Sequence, residues 1–128
     1  MKLLIDTRVL IWAGTAPTRL SSAATVLLSD PANTLLFSAI SVAEIAIKRA
    51  LGRPDFQIDP RRFRELLLDN GYGELPLSGE HAVVLAALPT IHNDPFDRML
   101  IAQATAEGVR LVSGDRNVVR YGGVVMSV

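Results

Sequence analysis

The chain of 128 residues is short enough for a single domain, which we expect to span residues 1–128, and such a domain buries about two-thirds of its unfolded surface. Its 13 basic and 13 acidic residues give a formal net charge of zero, so no long-range attraction to nucleic acid or membranes is expected and any polyanion must be bound locally. The chain contains no cysteine, which excludes disulfides, thiolate metal sites and thiol nucleophiles.

The N-terminal segment has an apolar run that Asp6 interrupts, and this run is too short for a signal peptide or a membrane span. We therefore expect a cytoplasmic protein with no membrane association. Hydrophobic residues make up 49% of the chain, and its mean hydropathy is +0.30. This content favours fully buried strands and an apolar face that is reserved for a partner.

The order of apolar runs and turn residues predicts short strands that alternate with longer helices. Short runs of Leu, Ile and Val between turn residues are typical of buried strands, and periodic runs closed by Gly are typical of helices. Ser41 and Glu44 have the spacing of a capping box, and Asp94-Pro95 is a second helix start. The predicted strands span 3–5, 34–38, 75–77, 110–113 and 124–126, and helices are predicted to start near 9, 21, 41, 60, 78, 95 and 115.

This alternation predicts an α/β fold with a mainly parallel sheet covered by helices on both faces. Ligands of such folds bind outside the carboxyl ends of the strands. Asp6 and Asp115 each follow a predicted strand and Glu44 lies near the start of the next helix, so all three belong to this edge. Asp97 is at the third position of a helix that leads by a short connection into the next strand and so must run antiparallel to that strand. The start of this helix, and Asp97 with it, is therefore expected at the same edge of the sheet.

These four acids allow two interpretations. Each can cap a helix or interact with its dipole, and together they place up to four negative charges around one crevice. Such a cluster is unfavourable unless a cation binds or the pKa values rise. Carboxylates without cysteine suit Mg²⁺ or Mn²⁺, and these ions can activate water for in-line displacement at phosphorus. From the residues alone, helix caps and a metal-dependent phosphodiester hydrolase both remain open.

Four motifs in chain order resemble those of PIN-domain ribonucleases, and more narrowly those of VapC toxins from bacterial toxin–antitoxin pairs. The motifs are Asp6-Thr7, Ser38-Ala-Ile-Ser41-Val-Ala-Glu44, Asp94-Pro-Phe-Asp97-Arg98 and Ser113-Gly-Asp115-Arg116-Asn117. The resemblance implies that the four acids are catalytic and hold Mg²⁺ or Mn²⁺. It also implies that Thr7, Ser113 and Asn117 support them.

The same resemblance implies a fold, an activity and partners. The fold would be a PIN-like three-layer α/β/α sandwich, and the activity would be hydrolysis of RNA to a 5′-phosphate and a 3′-hydroxyl that inhibits translation. The partners would be a second copy in a homodimer and a VapB-like antitoxin whose tail blocks the groove, with DNA contacted only through the antitoxin. The alternative is a PIN-like interaction module without catalytic activity.

Basic residues beside the acids are candidates for RNA contact. Arg8, Lys48, Arg98 and Arg116 each adjoin a motif, although an internal ion pair is as simple an explanation. Relatives commonly carry His or Asn at the position of Arg8, whose guanidinium can either pair with an acid or clamp a phosphate. Six basic residues between positions 48 and 64 form either an RNA-binding face or a solvated one.

Two histidines and one tryptophan have simpler expected roles. His81 and His92 are expected to be ordinary surface residues, and Trp12 to pack in the core or in a dimer interface. With few aromatic residues in the chain, a platform for stacking bases is not expected.

Other phosphoryl-transfer and nucleotide-binding folds fit less well. A haloacid dehalogenase needs a second Asp at position 8, where this chain has Arg8. A receiver needs paired acids near the first strand and a Lys after a late strand, and neither is present. No P-loop or dinucleotide-binding fingerprint occurs.

Overall fold

A computed structural model describes residues 1–128 and contains one five-stranded sheet. The strands are β1 Lys2–Ile5, β2 Thr34–Ser38, β3 Gly73–Leu75, β4 Arg110–Ser113 and β5 Val125–Ser127. The α-helices are α1 Thr7–Thr15, α2 Ser22–Ser29, α3 Ala39–Ala50, α4 Pro60–Asp69, α5 Gly79–Ala87, α6 Pro95–Glu107 and α7 Arg116–Val119. Short 3-10 turns cover Pro17–Arg19, Pro54–Phe56 and Gly122–Val124. None of the helices has the length and hydrophobicity needed to cross a lipid bilayer.

The sheet is parallel throughout, with strand order β3-β2-β1-β4-β5. The chain moves outward from β1 to β3 and then crosses back to place β4 on the other side of β1. The order therefore reverses between β1 and β4, and the crevice at the carboxyl ends of such a strand pair is where ligands bind in open α/β sheets.

Two hydrophobic clusters cover the two faces of the sheet. Leu3 and Ile5 of β1 pack on one face with Phe63 of α4, while Leu4 between them packs on the other face with Leu100 of α6. Successive side chains of a strand point to opposite faces, so a run of three buried apolar residues requires helices on both sides. The predicted α/β/α sandwich with a parallel sheet is confirmed.

The predicted capping box at Ser41 is wrong, because α3 begins at Ala39. The hydroxyl of Ser38 accepts a hydrogen bond from the Ile40 N–H at 2.9 Å and caps the helix three residues earlier. Ser41 is fully buried, and its Oγ lies 2.8 Å from Thr7 Oγ1. Glu44 consequently lies in the second turn of α3 and caps nothing.

Two other boundaries differ from the sequence-based prediction. The third strand ends at Leu75 instead of starting there, because Pro76 has no N–H to donate to a strand ladder. The first helix begins at Thr7, before its predicted start near position 9, and ends at Thr15. Gly108 ends α6 in the left-handed conformation with φ of 66°, as is typical of a glycine after the last turn of a helix.

A buried hydrogen bond between Ser38 and Gln103 ties the end of β2 to α6, and the Ser38→Ala variant tests it. Ser38 Oγ donates to Gln103 Oε1 at 2.5 Å, and both residues are fully buried. The variant loses a helix cap and leaves a buried amide oxygen without this donor, so the free energy of unfolding should fall by about 1–3 kcal/mol in urea titrations.

The matched control for this experiment is Ser29→Ala. Ser29 is exposed and its hydroxyl donates only within its own helix, to the Thr25 and Val26 carbonyls. Its loss should change the free energy of unfolding by less than about 0.5 kcal/mol. Equal effects of the two variants would contradict the role given to Ser38.

Candidate metal centre

One pocket of about 110 Å³ at the carboxyl edge of the sheet is lined by all four candidate acids, Asp6, Glu44, Asp97 and Asp115. Asp6 and Asp115 follow the neighbouring strands β1 and β4 and cap the helices that begin there. Glu44 reaches the pocket from α3, and Asp97 from the first turn of α6. The structure thus brings the four side chains together, and their role as metal ligands stays a prediction.

Asp6 is the most firmly held of these acids. Its Oδ1 accepts a hydrogen bond from the Arg8 N–H at 2.7 Å, and its Oδ2 accepts one from Ser113 Oγ at 2.5 Å. Burial raises the pKa of Asp6, the hydrogen bonds from Ser113 and Arg8 lower it, and the charges of Glu44 and Asp115 raise it again. The net increase means that this pocket favours the negative form of Asp6 less than water does.

Glu44 has one oxygen that is paired and one that is not. Lys48 Nζ donates to Oε2 at 2.5 Å, and Oε1 is the only buried side-chain nitrogen or oxygen atom in the structure without a hydrogen-bond partner. An unsatisfied buried carboxylate oxygen is unfavourable. A cation in the pocket would satisfy it.

Asp97 forms a pair with His92, whose Nε2 lies 2.8 Å from Asp97 Oδ2. The pKa of Asp97 is raised to about 7. Burial is the largest cause, the nearby charges of Asp94, Asp6 and Glu44 also raise the pKa, and the hydrogen bond from His92 lowers it. The expectation that His92 is an ordinary surface residue is wrong. The His92–Asp97 contact joins the loop before α6 to the first turn of that helix. The periodicity of helices and strands cannot predict a contact made by a loop residue.

The ligand atoms of His92, Asp97 and Asp115 all lie within 4.8 Å of one another. Glu44, whose Oε1 is unpaired, lines the same pocket as Asp97 and Asp115, so the available donors are carboxylate oxygens and one imidazole. The carboxylate majority fits Mg²⁺ or Mn²⁺.

The three predicted supporting residues differ in what they contact. Ser113 fixes Asp6 and also accepts a hydrogen bond from the Asp115 N–H at 3.1 Å. Thr7 lines the pocket, but its hydroxyl contacts Ser41 and none of the acids. Asn117 donates its backbone N–H to Asp115 at 2.7 Å, while its side chain is exposed.

The candidate RNA-binding residues are also distributed unevenly. Arg8 lines the pocket and lies 3.4 Å from Asp55, so it pairs with none of the four acids. Arg98 donates to the Pro89 carbonyl at 3.0 Å and to the Tyr121 hydroxyl at 3.1 Å, and these contacts hold the loop before α6. Its role in RNA contact stays a prediction. Arg116 is exposed and forms no ion pair.

The wider basic cluster is largely neutralised. Its ion pairs are Lys48–Glu44, Arg49–Asp59, Arg53–Asp55 and Arg64–Glu74. Arg61 and Arg62 are exposed without an ion pair. The interpretation as a solvated face therefore fits Arg49, Arg53 and Arg64, whereas Lys48 is only 14% exposed.

Trp12 and His81 are placed differently from the expectation. Trp12 is half-buried and lines the acid pocket, with the Arg19 guanidinium 5.0 Å from its ring centroid. His81 is 3% exposed, and its Nδ1 accepts a hydrogen bond from the Ser78 N–H. The spacing Ser78-x-x-His81 is that of a capping box with His at its third position, and this signal was present in the sequence.

Comparisons with known proteins agree with this fold. A family model described as PIN domain matches residues 3–124. The VapBC2 complex of Rickettsia felis bound to a promoter DNA fragment has a chain with a TM-score of 0.71 and 15% identity, covering 100% of this chain and 98% of that one. A toxin–antitoxin complex from Klebsiella pneumoniae has a chain with a TM-score of 0.67 and 18% identity, and the match covers 98% of this chain and 96% of that one. VapBC-5 of Mycobacterium tuberculosis has a chain with a TM-score of 0.64 and 16% identity, and the match covers 99% of this chain and 97% of that one. No curated protein sequence matches the chain.

The Asp97 carboxyl should make the metal-free protein less stable as pH rises. Its pKa is about 7 in the folded chain against an ordinary value of 3.8. Between these values the folded state keeps a proton that the unfolded state releases, so the free energy of unfolding falls through this window and levels off above it. In Asp97→Asn this contribution is absent, and the variant should melt above the parent at alkaline pH.

Thermal melts in EDTA across this pH window measure the effect. Other carboxyl groups also titrate at low pH, so the informative quantity is the Tm difference between the variant and the parent at each pH. That difference should grow from about pH 4 to about pH 8. A difference that does not change with pH would contradict the raised pKa of Asp97.

Proposed function

The chain belongs to the PIN domain family, and on that premise we propose that it is a metal-dependent endoribonuclease, the toxin of a toxin–antitoxin pair that inhibits translation. The observation that carries the proposal is the buried, unpartnered Glu44 Oε1 in a pocket shared with three other acids. A helix cap explains Asp6 and Asp115, but no cap explains Glu44.

We assign the metal to Asp6, Glu44, Asp97 and Asp115, with His92 as an additional donor. A bound Mg²⁺ or Mn²⁺ would activate water and stabilise negative charge at the reacting phosphorus. Ser113 and the Arg8 N–H keep both oxygens of Asp6 in fixed directions. This preorganisation matters because carboxylates that must reorient before binding a cation lose affinity.

The remaining residues of the pocket fit a polyanionic substrate. Arg8 at the pocket wall and Arg116 beside Asp115 are exposed, and each can contact a phosphate. His92 holds its Nε2 against Asp97 and so fixes the orientation of that carboxylate. Because the net charge of the chain is zero, these local contacts must provide the attraction to RNA.

The alternative is a PIN-like interaction module in which the acids are structural. The side chains of Asp6 and Asp115 do cap α1 and α7, which favours this alternative for those two residues. Glu44 and Asp97 are different, because both are removed from water beside other acids. A module without a bound cation would gain stability by replacing Asp97, whose charged form is unfavourable in this pocket.

We also propose a VapB-like antitoxin and a second copy of this chain as partners in the cytoplasm, with DNA reached only through the antitoxin. The similar solved structures are toxin–antitoxin complexes, and one of them is bound to promoter DNA. An apolar groove of about 350 Å³ between α1 and α4, lined by Leu10, Phe63 and Leu66 among others, offers the antitoxin a docking surface. Exposed apolar side chains such as Leu51 and Val83 offer further contact area.

The Asp97→Asn variant should lose cleavage of single-stranded RNA in the presence of Mn²⁺. Loss of groups that only orient metal ligands lowers activity by about 10–100-fold, so loss of a ligand charge should lower it by about 100-fold or more. A residue that only interacts with the helix dipole contributes about 0.3–1 kcal/mol to stability, which leaves the activity unchanged well below the Tm. EDTA should abolish cleavage by the parent.

The matched control for this experiment is Asp94→Asn. Asp94 lies three residues earlier and caps the same helix by accepting from the Phe96 and Asp97 N–H groups. Asn is an equally good cap, so this variant removes a nearby charge that raises the pKa of Asp97 but keeps all four carboxyl groups of the pocket, and it should still cleave RNA. If Asp97→Asn cleaves at the parent rate, or EDTA has no effect, the interaction-module alternative replaces the nuclease.

A groove variant tests the partner proposal. We expect the chain to form a stable complex when it is co-expressed with a small neighbouring reading frame, and Leu66→Glu to weaken that complex while RNA cleavage persists. Leu66 and Leu68 are 41% and 40% exposed on α4, but only Leu66 lines the groove. Leu68→Glu is therefore the matched control, and equal weakening by both variants would argue against this docking surface.

The oligomeric state of the chain alone is a separate measurement. Sedimentation should show a homodimer or an insoluble chain without its partner. A stable monomer at tens of micromolar would contradict the proposed dimer.

A further inference from the structure

We infer that Lys48 limits the acid pocket to a single divalent cation, because it offsets one of the four carboxylate charges and occupies one oxygen of Glu44. The inference rests on the proposed metal-dependent function and concerns the number of ions that this pocket accepts. Three observations support it. Lys48 pairs with Glu44 on the same helix, two phenylalanine rings hold its ammonium group, and the charge left in the pocket suits one divalent ion.

The Lys48–Glu44 pair is set by the helix that carries both residues. They are four positions apart on α3 with Glu first, which is the favourable order for such a pair. Nζ lies 2.5 Å from Oε2, and the two side chains are only 14% and 6% exposed. Since α3 itself brings the residues together, the pair does not depend on any other part of the pocket.

Two phenylalanine rings keep the Lys48 ammonium in place. Nζ lies 4.5 Å from the ring centroid of Phe56 and 5.5 Å from that of Phe96. The faces of aromatic rings attract cations, and this attraction is stronger where water is excluded. Lys48 is therefore a fixed charge of the pocket, unlike a surface lysine that turns into solvent.

The remaining charge of the pocket suits one divalent ion. Four carboxyl groups line it, and Lys48 offsets the charge of one of them. When a bound cation holds all four in the ionised form, one divalent ion leaves a single negative charge, whereas a second ion would make the pocket positive. Two-ion sites hold their metals about 3.5–4 Å apart and need carboxylate oxygens for both. Here Glu44 has only Oε1 to offer, because Oε2 is paired with Lys48.

Counting Mn²⁺ ions bound to the metal-free full-length chain tests the inference, for example by following free Mn²⁺ with electron paramagnetic resonance. The parent should bind one Mn²⁺ per chain, and Lys48→Met and Lys48→Gln should each bind two. Gln keeps a donor for Glu44 but carries no charge, so it isolates the charge of Lys48. If Lys48→Met does not fold, the number of ions bound by Lys48→Gln alone tests the inference.

Two further variants serve as controls. Lys48→Arg keeps the charge and should bind one ion. Arg49→Met removes a positive charge from the adjacent position of α3, where Arg49 is half-exposed and 3.9 Å from Asp59, and it should also bind one ion. A parent that binds two ions, or Lys48 variants that bind one under conditions that saturate the parent, would overturn the inference.

Thermal melts separate a charge effect from a purely structural one. Without metal, Lys48→Gln should melt several degrees below the parent, because Glu44 then has an uncompensated charge, and saturating Mn²⁺ should restore its Tm. A structural role would lower the Tm equally with and without Mn²⁺. If the parent binds no Mn²⁺ at all, the metal-dependent function fails together with this inference, whereas one ion in every variant overturns the inference alone.

Discussion

The hydrogen bond from Ser113 Oγ to Asp6 Oδ2 is the contact on which the arrangement of the acids depends. It joins the ends of the two central strands at the point where the strand order reverses, and it is 2.5 Å long. The backbone continues the same junction, since the Asp6 N–H donates to the Val112 carbonyl at 3.0 Å. With Asp6 fixed in this way, Asp115 follows two residues after Ser113 and is placed beside it by the same strand. Glu44 and Asp97 then reach the junction from helices that pack against it.

Much of this fold follows from local sequence patterns. The second and fourth strands have the predicted bounds because turn residues delimit each apolar run, and the shared edge of the acids follows from the alternation of strands and helices. The start of α3 could not be predicted in this way. Ser38 and Ser41 are both suitable caps, and the choice between them is made by Gln103 and Thr7, which are distant in sequence. Tertiary hydrogen bonds decide between two local signals of equal strength.

The site was predictable to a similar extent and for the same reason. Asp6, Asp97 and Asp115 lie at helix starts, so their edge of the sheet could be predicted from capping chemistry. The contacts of His92 and Arg98 could not, because both run through the irregular loop before α6. The raised pKa of Asp97 also depends on acids from other elements. A carboxyl group that is buried beside other acids destabilises the fold, and such local conflicts are characteristic of functional sites.

The Ser113–Asp6 contact links residues that are 107 positions apart. A chain emerging from the ribosome therefore exposes Asp6 long before its hydrogen-bond donor has been made. Until β4 has been synthesised and has inserted beside β1, the nascent polypeptide has no assembled four-acid pocket. Contacts between distant parts of a chain also form late in folding, because the intervening segment must first be ordered. Assembly of the four-acid pocket thus waits for β4 to pair with β1.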